Sequence, residues 1–383
     1  MLCPCHRRTV GPMAETTFSK TYRFAVVGAG QIAQQAFIPG LEQLPEAKLV
    51  AIVTGSPEKA EAFGVPGYSY DQYSELLNSG DIDAVYVAVP VDQHREYTLP
   101  ALKAGIPVLC EKPMAASVED CQAMIEASEQ SGAPLMLAYR MHHDPYTLEL
   151  LDIVRSGTLG ELRSFVSTFG HMINPDNHRA NNGFWAGPVP DIGLYPLNLV
   201  RNLYEEEPTE VFAQGVEHED SDLAVTPTVA VSLTFPSGKT AQFTVSYASE
   251  SQQSFSLAGT KGAVYSRSAF MWGEGADLAY TLDLASAEKP ETKTFLARDQ
   301  FAGETRYFLQ CVESGTQPEA NGEEGLMDIR ICEAVLKSLE TGQPQNLEPA
   351  QRTRRIAADQ AVSIPAPSTP GEEELTSIIP EEQ

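Results

Sequence analysis

The sequence predicts two domains in series, a doubly wound α/β domain followed by an α+β domain with an open, mostly antiparallel sheet. Three observations predict it. A chain of 383 residues exceeds what one ordinary core organises, roughly 100 to 200 residues. Between Tyr22 and Tyr139, short apolar runs alternate with amphipathic stretches. After about residue 160, strands with polar alternation dominate instead.

The apolar runs of the first part fall at residues 24–27, 49–53, 84–89, 108–110 and 135–138. Each is rich in Val, Ile, Leu and Ala with little polar alternation, as strands covered on both faces of a parallel sheet are. Helical segments lie between them, among them residues 117–131, where Ser117 and Asp120 have the spacing of a capping box. In the second part, strands are expected at 162–169, 211–215, 229–235, 240–247 and 255–265, with Pro236-Ser237-Gly238 as a hairpin turn. Leu326, Ile329, Val335, Leu336 and Leu339 supply a covering helix that Gly342 and Pro344 stop. The expected divisions are a tail at 1–20, the first domain at 21–141, the second at 142–350, and a Pro-, Ser-, Thr- and Glu-rich tail or arm at 351–383.

Composition excludes several classes of function. With 52 acidic residues against 26 basic ones, a nonspecific hold on nucleic acid is disfavoured, because it relies on Lys and Arg neutralising phosphates. No apolar run approaches the roughly 18 residues that span a bilayer, so no membrane partner is expected. The six cysteines are scattered and resemble neither a disulfide framework nor a four-ligand zinc pattern, which suits a reducing cytoplasm. Cys3, Cys5 and His6 lie on a leader with no second ligand pair, so no metal is expected. Arg7-Arg8 is followed by no apolar segment of the kind an export signal needs.

Gly28-Ala29-Gly30-Gln31-Ile32-Ala33 has the spacing G-x-G-x-x-A, directly after one apolar run and directly before a helical segment at 31–44. Gly28 permits the tight turn, Gly30 lets the main chain approach a pyrophosphate, and Ala33 allows close packing of helix on strand. The helix N-terminus at Gln31 and Ile32 then faces the anion. The spacing predicts the phosphate cradle of a dinucleotide-binding domain; the alternative is a glycine turn with no ligand. A site preferring NAD places an acid at the tip of the second strand, but here the run 49–53 leads into Thr54-Gly55-Ser56-Pro57-Glu58-Lys59. A hydroxyl at Ser56 and a cation at Lys59 suit a 2'-phosphate, so NADP is favoured over NAD. The rival is that Ser56 caps the next helix and Lys59 is solvated.

Two segments carry chemistry. Glu111-Lys112-Pro113 follows an apolar run at the sheet edge where open parallel sheets present ligands, and Pro113 holds Lys112 extended, with a peptide bond open to the cis form. Asp191, Tyr195 and Asn198 stand at i, i+4 and i+7, on one helix face. A stripe of Asp, Tyr and Asn is no core stripe; the alternative is a solvated helix face.

With Tyr139-Arg140-Met141-His142-His143-Asp144-Pro145 and Glu323-Glu324-Gly325 added, the span from about 22 to 347 resembles the Gfo/Idh/MocA oxidoreductases, and within them the glucose-fructose oxidoreductase branch. The resemblance implies a nicotinamide at the cleft between the two domains, a sugar or polyol substrate, and a homodimer or homotetramer. It implies catalytic Lys112 and Tyr195, with Asp191 and Asn198 beside the substrate; Arg140, at the cofactor, and His143 line the cleft or are structural residues of the linker. An unperturbed phenol, pKa about 10, is a poor base at neutral pH, and a neighbouring ammonium favours its anion. Tyr195 is therefore the expected acid/base and Lys112 its electrostatic partner. Departures are informative too. The family's Pro-Asn-x-x-His loop reads Pro90-Val91-Asp92-Gln93-His94 here, with Pro90 and His94 expected beside the cofactor or His94 as a structural residue. The segment 184–190 replaces the Gly-rich approach of relatives and alters a wall of the pocket. A different expectation, a dinucleotide-sensing regulator without turnover, needs neither Lys112 nor Tyr195.

Overall fold

The computed structural model describes residues 17–181, 186–219 and 221–368, the side chains of 57–59 excepted. The first domain contains six parallel strands, β1 (Tyr22–Val27), β2 (Ala47–Val53), β3 (Gly67–Tyr68), β4 (Ala84–Val87), β5 (Val108–Cys110) and β6 (Leu135–Leu137). Their order across the sheet is β3-β2-β1-β4-β5-β6. Four helices cover it: α1 (Ile38–Glu42), α2 (Tyr73–Asn78), α3 (His94–Lys103) and α4 (Val118–Ser131). The order reverses between β1 and β4, and the crevice outside that reversal is where open α/β sheets bind ligands. The strands are short and buried on both faces; Phe24, Ala25, Val26 and Val27 are wholly excluded from solvent. Ser117 accepts the Asp120 N–H at 3.0 Å and starts α4, as its spacing predicts. The two-residue β3 escaped the sequence reading because it is too short to show a period.

The second domain follows with α5 (Pro145–Arg155), β7 (Leu162–Gly170), α6 (His178–Asn181), α7 (Leu194–Tyr204), β8 (Glu210–Val216), β9 (Thr228–Thr234), β10 (Thr240–Ser246), β11 (Gln252–Gly259), β12 (Gly262–Ser266), β13 (Leu278–Leu284) and β14 (Glu291–Phe295). Helices α8 (Gln300–Ser314) and α9 (Gly322–Thr341) and the short β15 (Gln345–Asn346) complete it. Nine strands form one sheet in the order β14-β13-β12-β11-β7-β10-β9-β8-β15, every pair antiparallel except β7 with β10. The single strand expected at 255–265 is two, β11 and β12, folded back at Thr260-Lys261 between Gly259 and Gly262. The inner face buries Phe165, Val231, Phe243 and Leu257, while Val166, Phe212 and Tyr265 are partly exposed on other strand positions. α9 ends where Gly342 takes a φ of 65°, the left-handed cap that a residue without Cβ adopts freely.

The chain after residue 300 also returns to the first domain. Ala302, Phe308 and Leu309 of α8 and Ile329 of α9 pack into the same core as Phe24 and Phe37. Each such large apolar side chain contributes roughly 1.5–3 kcal/mol by leaving water. The expected C-terminal tail is no free tail over its described part. Ile356, Val362 and Ile364 are buried, the Val362 N–H donates to His143 O at 3.0 Å, and Ile364 O accepts the Asp299 N–H at 2.8 Å. Residues 369–383 lie outside the described residues. Among the described residues, no helix is long and apolar enough to cross a membrane.

Candidate active site

The glycine turn is built as its spacing predicts. Gly28, at the end of β1, has a φ of 90°, and a Cβ there would stand 2.7 Å from Ala88 O at the end of β4. At Gly30 a Cβ would meet nothing within 4 Å, which leaves bare main chain open to a ligand. The helical run begins at Gln31, whose side chain is exposed, continues through half-buried Ile32, and widens into a π-turn at Ala33–Phe37 before α1. Gln34 Nε2 donates to Ala29 O at 2.8 Å and braces the turn from behind. Bare backbone meeting first-turn amides at the sheet's switch point fits the pyrophosphate of a dinucleotide.

Beyond β2, Thr54 is buried and its N–H donates to Tyr68 O at 2.9 Å. Ser56 is half-buried, and its side chain does not cap the turn that follows. Residues 54–56 carry no carboxylate; the side chains of Pro57, Glu58 and Lys59 lie outside the described residues. Pro90 is exposed where β4 turns toward α3. His94 is turned inward instead, with its ring nitrogens 2.9 Å from Pro113 O and 2.9 Å from Val89 O. Burial lowers its pKa. Its function in this geometry is to hold the 111–114 turn, since no ring nitrogen is left for a cofactor.

That turn delivers Lys112. The Lys112-Pro113 peptide is cis. Glu111, just before it, is buried; Tyr86 Oη donates to its Oε1 at 2.6 Å, and the Lys112 N–H to its Oε2 at 3.2 Å. Lys112 Nζ donates to Asp191 O at 3.0 Å and Oδ1 at 3.2 Å, and stands 5.0 Å from the centre of the Tyr195 ring. Burial disfavours this ammonium, yet Tyr195 and Asp191 outweigh burial and raise its pKa above the ordinary lysine value. Asp191 is similarly balanced: burial would raise it, but Arg179, Lys112 and the Tyr247 hydroxyl hold it well below the usual carboxylate range. Tyr247 Oη donates to Asp191 Oδ2 at 2.7 Å. The ammonium of the first domain and the phenol of the second thus meet.

Arg140 was expected at the cofactor, and the structure places it against Tyr195. Its Nε donates to Tyr195 Oη at 3.0 Å, its Cζ lies 4.7 Å from the ring centre, and its other nitrogens reach Phe270 O and Gln300. Phe169 and Phe270 flank the same ring at 5.5 and 5.7 Å. Lys112, Arg140 and Tyr195 border a cavity of about 540 Å³. Asn198 borders it as well, but its amide is spent inside the protein, with Oδ1 2.6 Å from His142 Nε2 and Nδ2 donating to Glu324 Oε1 at 2.6 Å. Behind it lies a dry ionic cluster. Arg201 pairs with Glu207, Glu324 and Asp328, and Arg352 with Glu319 and Glu324. His143, expected at the cleft, does not border the cavity; its ring lies tilted against that of Tyr307, centres 4.3 Å apart.

The sequence reading therefore missed Arg179, Tyr247 and Gln300 as neighbours of the reactive groups. Tyr247 ends a strand and reads as one more aromatic, while Arg179 and Gln300 sit in segments with no pattern to single them out. Among the described residues, no cluster of His, Cys, Asp and Glu is arranged for a metal. Residues 184 and 185 of the altered pocket wall lie outside the described residues.

Comparison with known proteins agrees with this geometry. Residues 22–139 match the profile of an oxidoreductase family with an NAD-binding Rossmann fold, and residues 147–265 match the GFO/IDH/MocA C-terminal domain. An NADP-dependent D-xylose 1-dehydrogenase from Haloarcula marismortui is 30% identical over 85% of this chain and 93% of its own. The crystal structure of an aldose-aldose oxidoreductase from Caulobacter crescentus, complexed with glycerol, superposes with a TM-score of 0.79 at 32% identity, covering 86% of this chain and all of the other. A 3-ketoreductase from Actinomadura kijaniata, solved with NADP and TDP-benzene, gives 0.75 at 27% identity over 84% and 98%. With both domains matched in order and a relative at 30% identity along most of the chain, the chain belongs to the Gfo/Idh/MocA family of NAD-binding oxidoreductases.

Proposed function

We propose that this protein is an NADP-dependent aldose 1-dehydrogenase or reductase, exchanging a hydride between C1 of a pyranose and the cofactor, with a lactone as the oxidised product. One observation carries the reading. Lys112 Nζ, 5.0 Å from the Tyr195 ring, and Arg140 Nε, 3.0 Å from its oxygen, bracket a phenol at a cavity lined by residues of both domains. A bound nicotinamide supplies the hydride acceptor in oxidation and the donor in reduction. The Tyr195 oxygen takes the proton of the C1 hydroxyl, and Lys112 donates a hydrogen bond to the same substrate oxygen. Lys112 and Arg140 together offset the negative charge that the phenol oxygen carries between proton transfers. Asp191 holds Lys112 from behind and keeps its ammonium aimed. Gly28, Gly30, Gln31 and Ile32 would hold the pyrophosphate, Thr54, Ser56 and Lys59 the 2'-phosphate side, and Pro90 and Glu111 would border the nicotinamide half. Thr54-Gly55-Ser56 directly after β2, with no acid among them, supports NADP, and the xylose dehydrogenase and ketoreductase relatives are named with NADP.

The test is turnover. Purified protein with NADP and a panel of aldoses should change absorbance at the reduced-nicotinamide band, and no change with any aldose would overturn the proposal. Tyr195→Phe and Lys112→Met should each lower kcat by about 10² to 10⁴-fold while NADP binding survives; unchanged rates would remove the assignment of roles. The aldose-aldose structure favours a second reading, in which one sugar reduces the cofactor and another reoxidises it without release. Stoichiometric nicotinamide carried through purification distinguishes this exchange from the first reading.

A further inference from the structure

Helix α8 carries a carboxyl group that the mechanism above does not use. Glu304 is wholly excluded from solvent, and neither of its oxygens has a hydrogen-bond partner. It lies one turn after Gln300, which accepts from Arg140, and one turn before Phe308, which packs on Phe24 beneath β1. The charged groups that act on it are Glu111 at the end of β5, Arg140 from the turn at 140–143, and Asp299 at the start of its own helix. Glu304 thus lies on the buried face of α8, one turn from the Gln300 that holds Arg140 and one turn from the Phe308 that packs on the first sheet.

A carboxylate buried without hydrogen bonds persists only as the neutral acid or opposite a positive charge. The permanent cations nearby are engaged elsewhere. Arg140 is bonded to Tyr195, Gln300 and Phe270, and Lys112 to Asp191. Glu111 shares the neighbourhood, but it accepts from Tyr86 and the Lys112 N–H, so of the two acids Glu304 is the one that keeps a proton. Burial and the Glu111 charge both push its pKa well above the usual carboxylate range. The one cation that comes and goes in this reaction is the nicotinamide ring, positive when oxidised and neutral when reduced.

We propose that Glu304 matches the charge of the cofactor, staying protonated in the free and NADPH-bound protein and ionising opposite the oxidised ring. Binding of NADP+ then releases the Glu304 proton to solvent, and binding of NADPH releases none. This rests on the reading that the nicotinamide lies over Lys112. The experiment is calorimetric titration of NADP+ and NADPH into wild type and E304Q, in two buffers of different ionisation enthalpy near neutral pH. Wild type should release protons with NADP+ alone. E304Q should release none and lose about tenfold in NADP+ affinity, one pKa unit of charge interaction, with NADPH affinity unchanged. An infrared difference spectrum of wild type between its NADPH- and NADP+-bound forms should show a protonated-carboxyl stretch disappearing, which needs no variant. Equal proton release for both nucleotides, or the same release from E304Q, overturns the proposal while leaving the cofactor site standing; failure of wild type to bind either nucleotide overturns both.

Discussion

At the scale of single residues, the reactive groups are set by neighbours that never touch substrate. His94 is the clearest case, because its ring joins Val89 O and Pro113 O and so fixes the loop that presents Lys112. His94→Phe keeps the volume but removes the ring N–H that bonds one of these two buried carbonyls, at a cost of about 1–3 kcal/mol. We expect denaturant unfolding to show that loss, and kcat to fall with the displaced lysine while the variant still folds; an unchanged midpoint would mean the carbonyl finds another donor. Lys112, Tyr195 and Asp191 were legible in the sequence because ionisable groups stand there in places a core does not use. The placing of Arg140 on the phenol was not, since a cation adjacent in sequence to a strand end serves phosphate, substrate or tyrosine equally well until the fold fixes its direction. The inward turn of His94 was one of two alternatives that spacing alone left open.

At the scale of elements, the junction of β1 with the following helix carries the tightest constraint. A methyl group at position 28 would sit 2.7 Å from Ala88 O on a backbone with a φ of 90°. Gly28→Ala should cost about 1–3 kcal/mol in strain and part β1 from β4 at the switch point. Titration with NADP, followed by fluorescence, should show affinity lost far out of proportion to any loss of secondary structure; retained affinity would show that the turn tolerates the shift. The five longer parallel strands announced themselves as uniform apolar runs, and the helices by caps at Ser117 and Gly342. Elements that stayed hidden lack a period. In β14, Glu291, Thr292, Lys293 and Thr294 are all exposed, and in α8 the buried Gly303, Glu304 and Thr305 interrupt the apolar stripe. The strand drawn through 255–265 ran straight across a turn because apolar alternation resumes on its far side.

At the scale of the whole molecule, the segment after β15 is held in place by charge as well as by apolar packing. Arg352, from the segment after β15, is bound to Glu319 and Glu324 in the cluster behind α7. Arg352→Met strands buried carboxylates and should cost about 3–5 kcal/mol at neutral pH. The pH dependence has a definite sign. Burial alone would raise the Glu319 pKa, but His142 and Arg352 hold it down at about 2, against an ordinary 4.5. The unfolded chain takes up that proton first, so the contribution is complete above 4.5 and is lost as pH falls toward 2. Melting temperature recorded from pH 7 downward should decline in that window, and less steeply in Arg352→Met; parallel curves would show that Arg352 does not set it. This segment was read as a tail because Pro, Ser and Glu dominate it, and composition is blind to the few residues, Ile356, Val362 and Ile364, that anchor it. The return of α8 to the first sheet has a consequence for how the protein is made. Phe24 and Phe37 are sealed by Phe308, so the nucleotide-binding half leaves the ribosome with one face of its core bare, and stays so until the chain has run on from Tyr139 to Phe308. Domains made in that order leave sticky surface open during synthesis, and the nascent chain would be a client for chaperones long after its first strand has emerged.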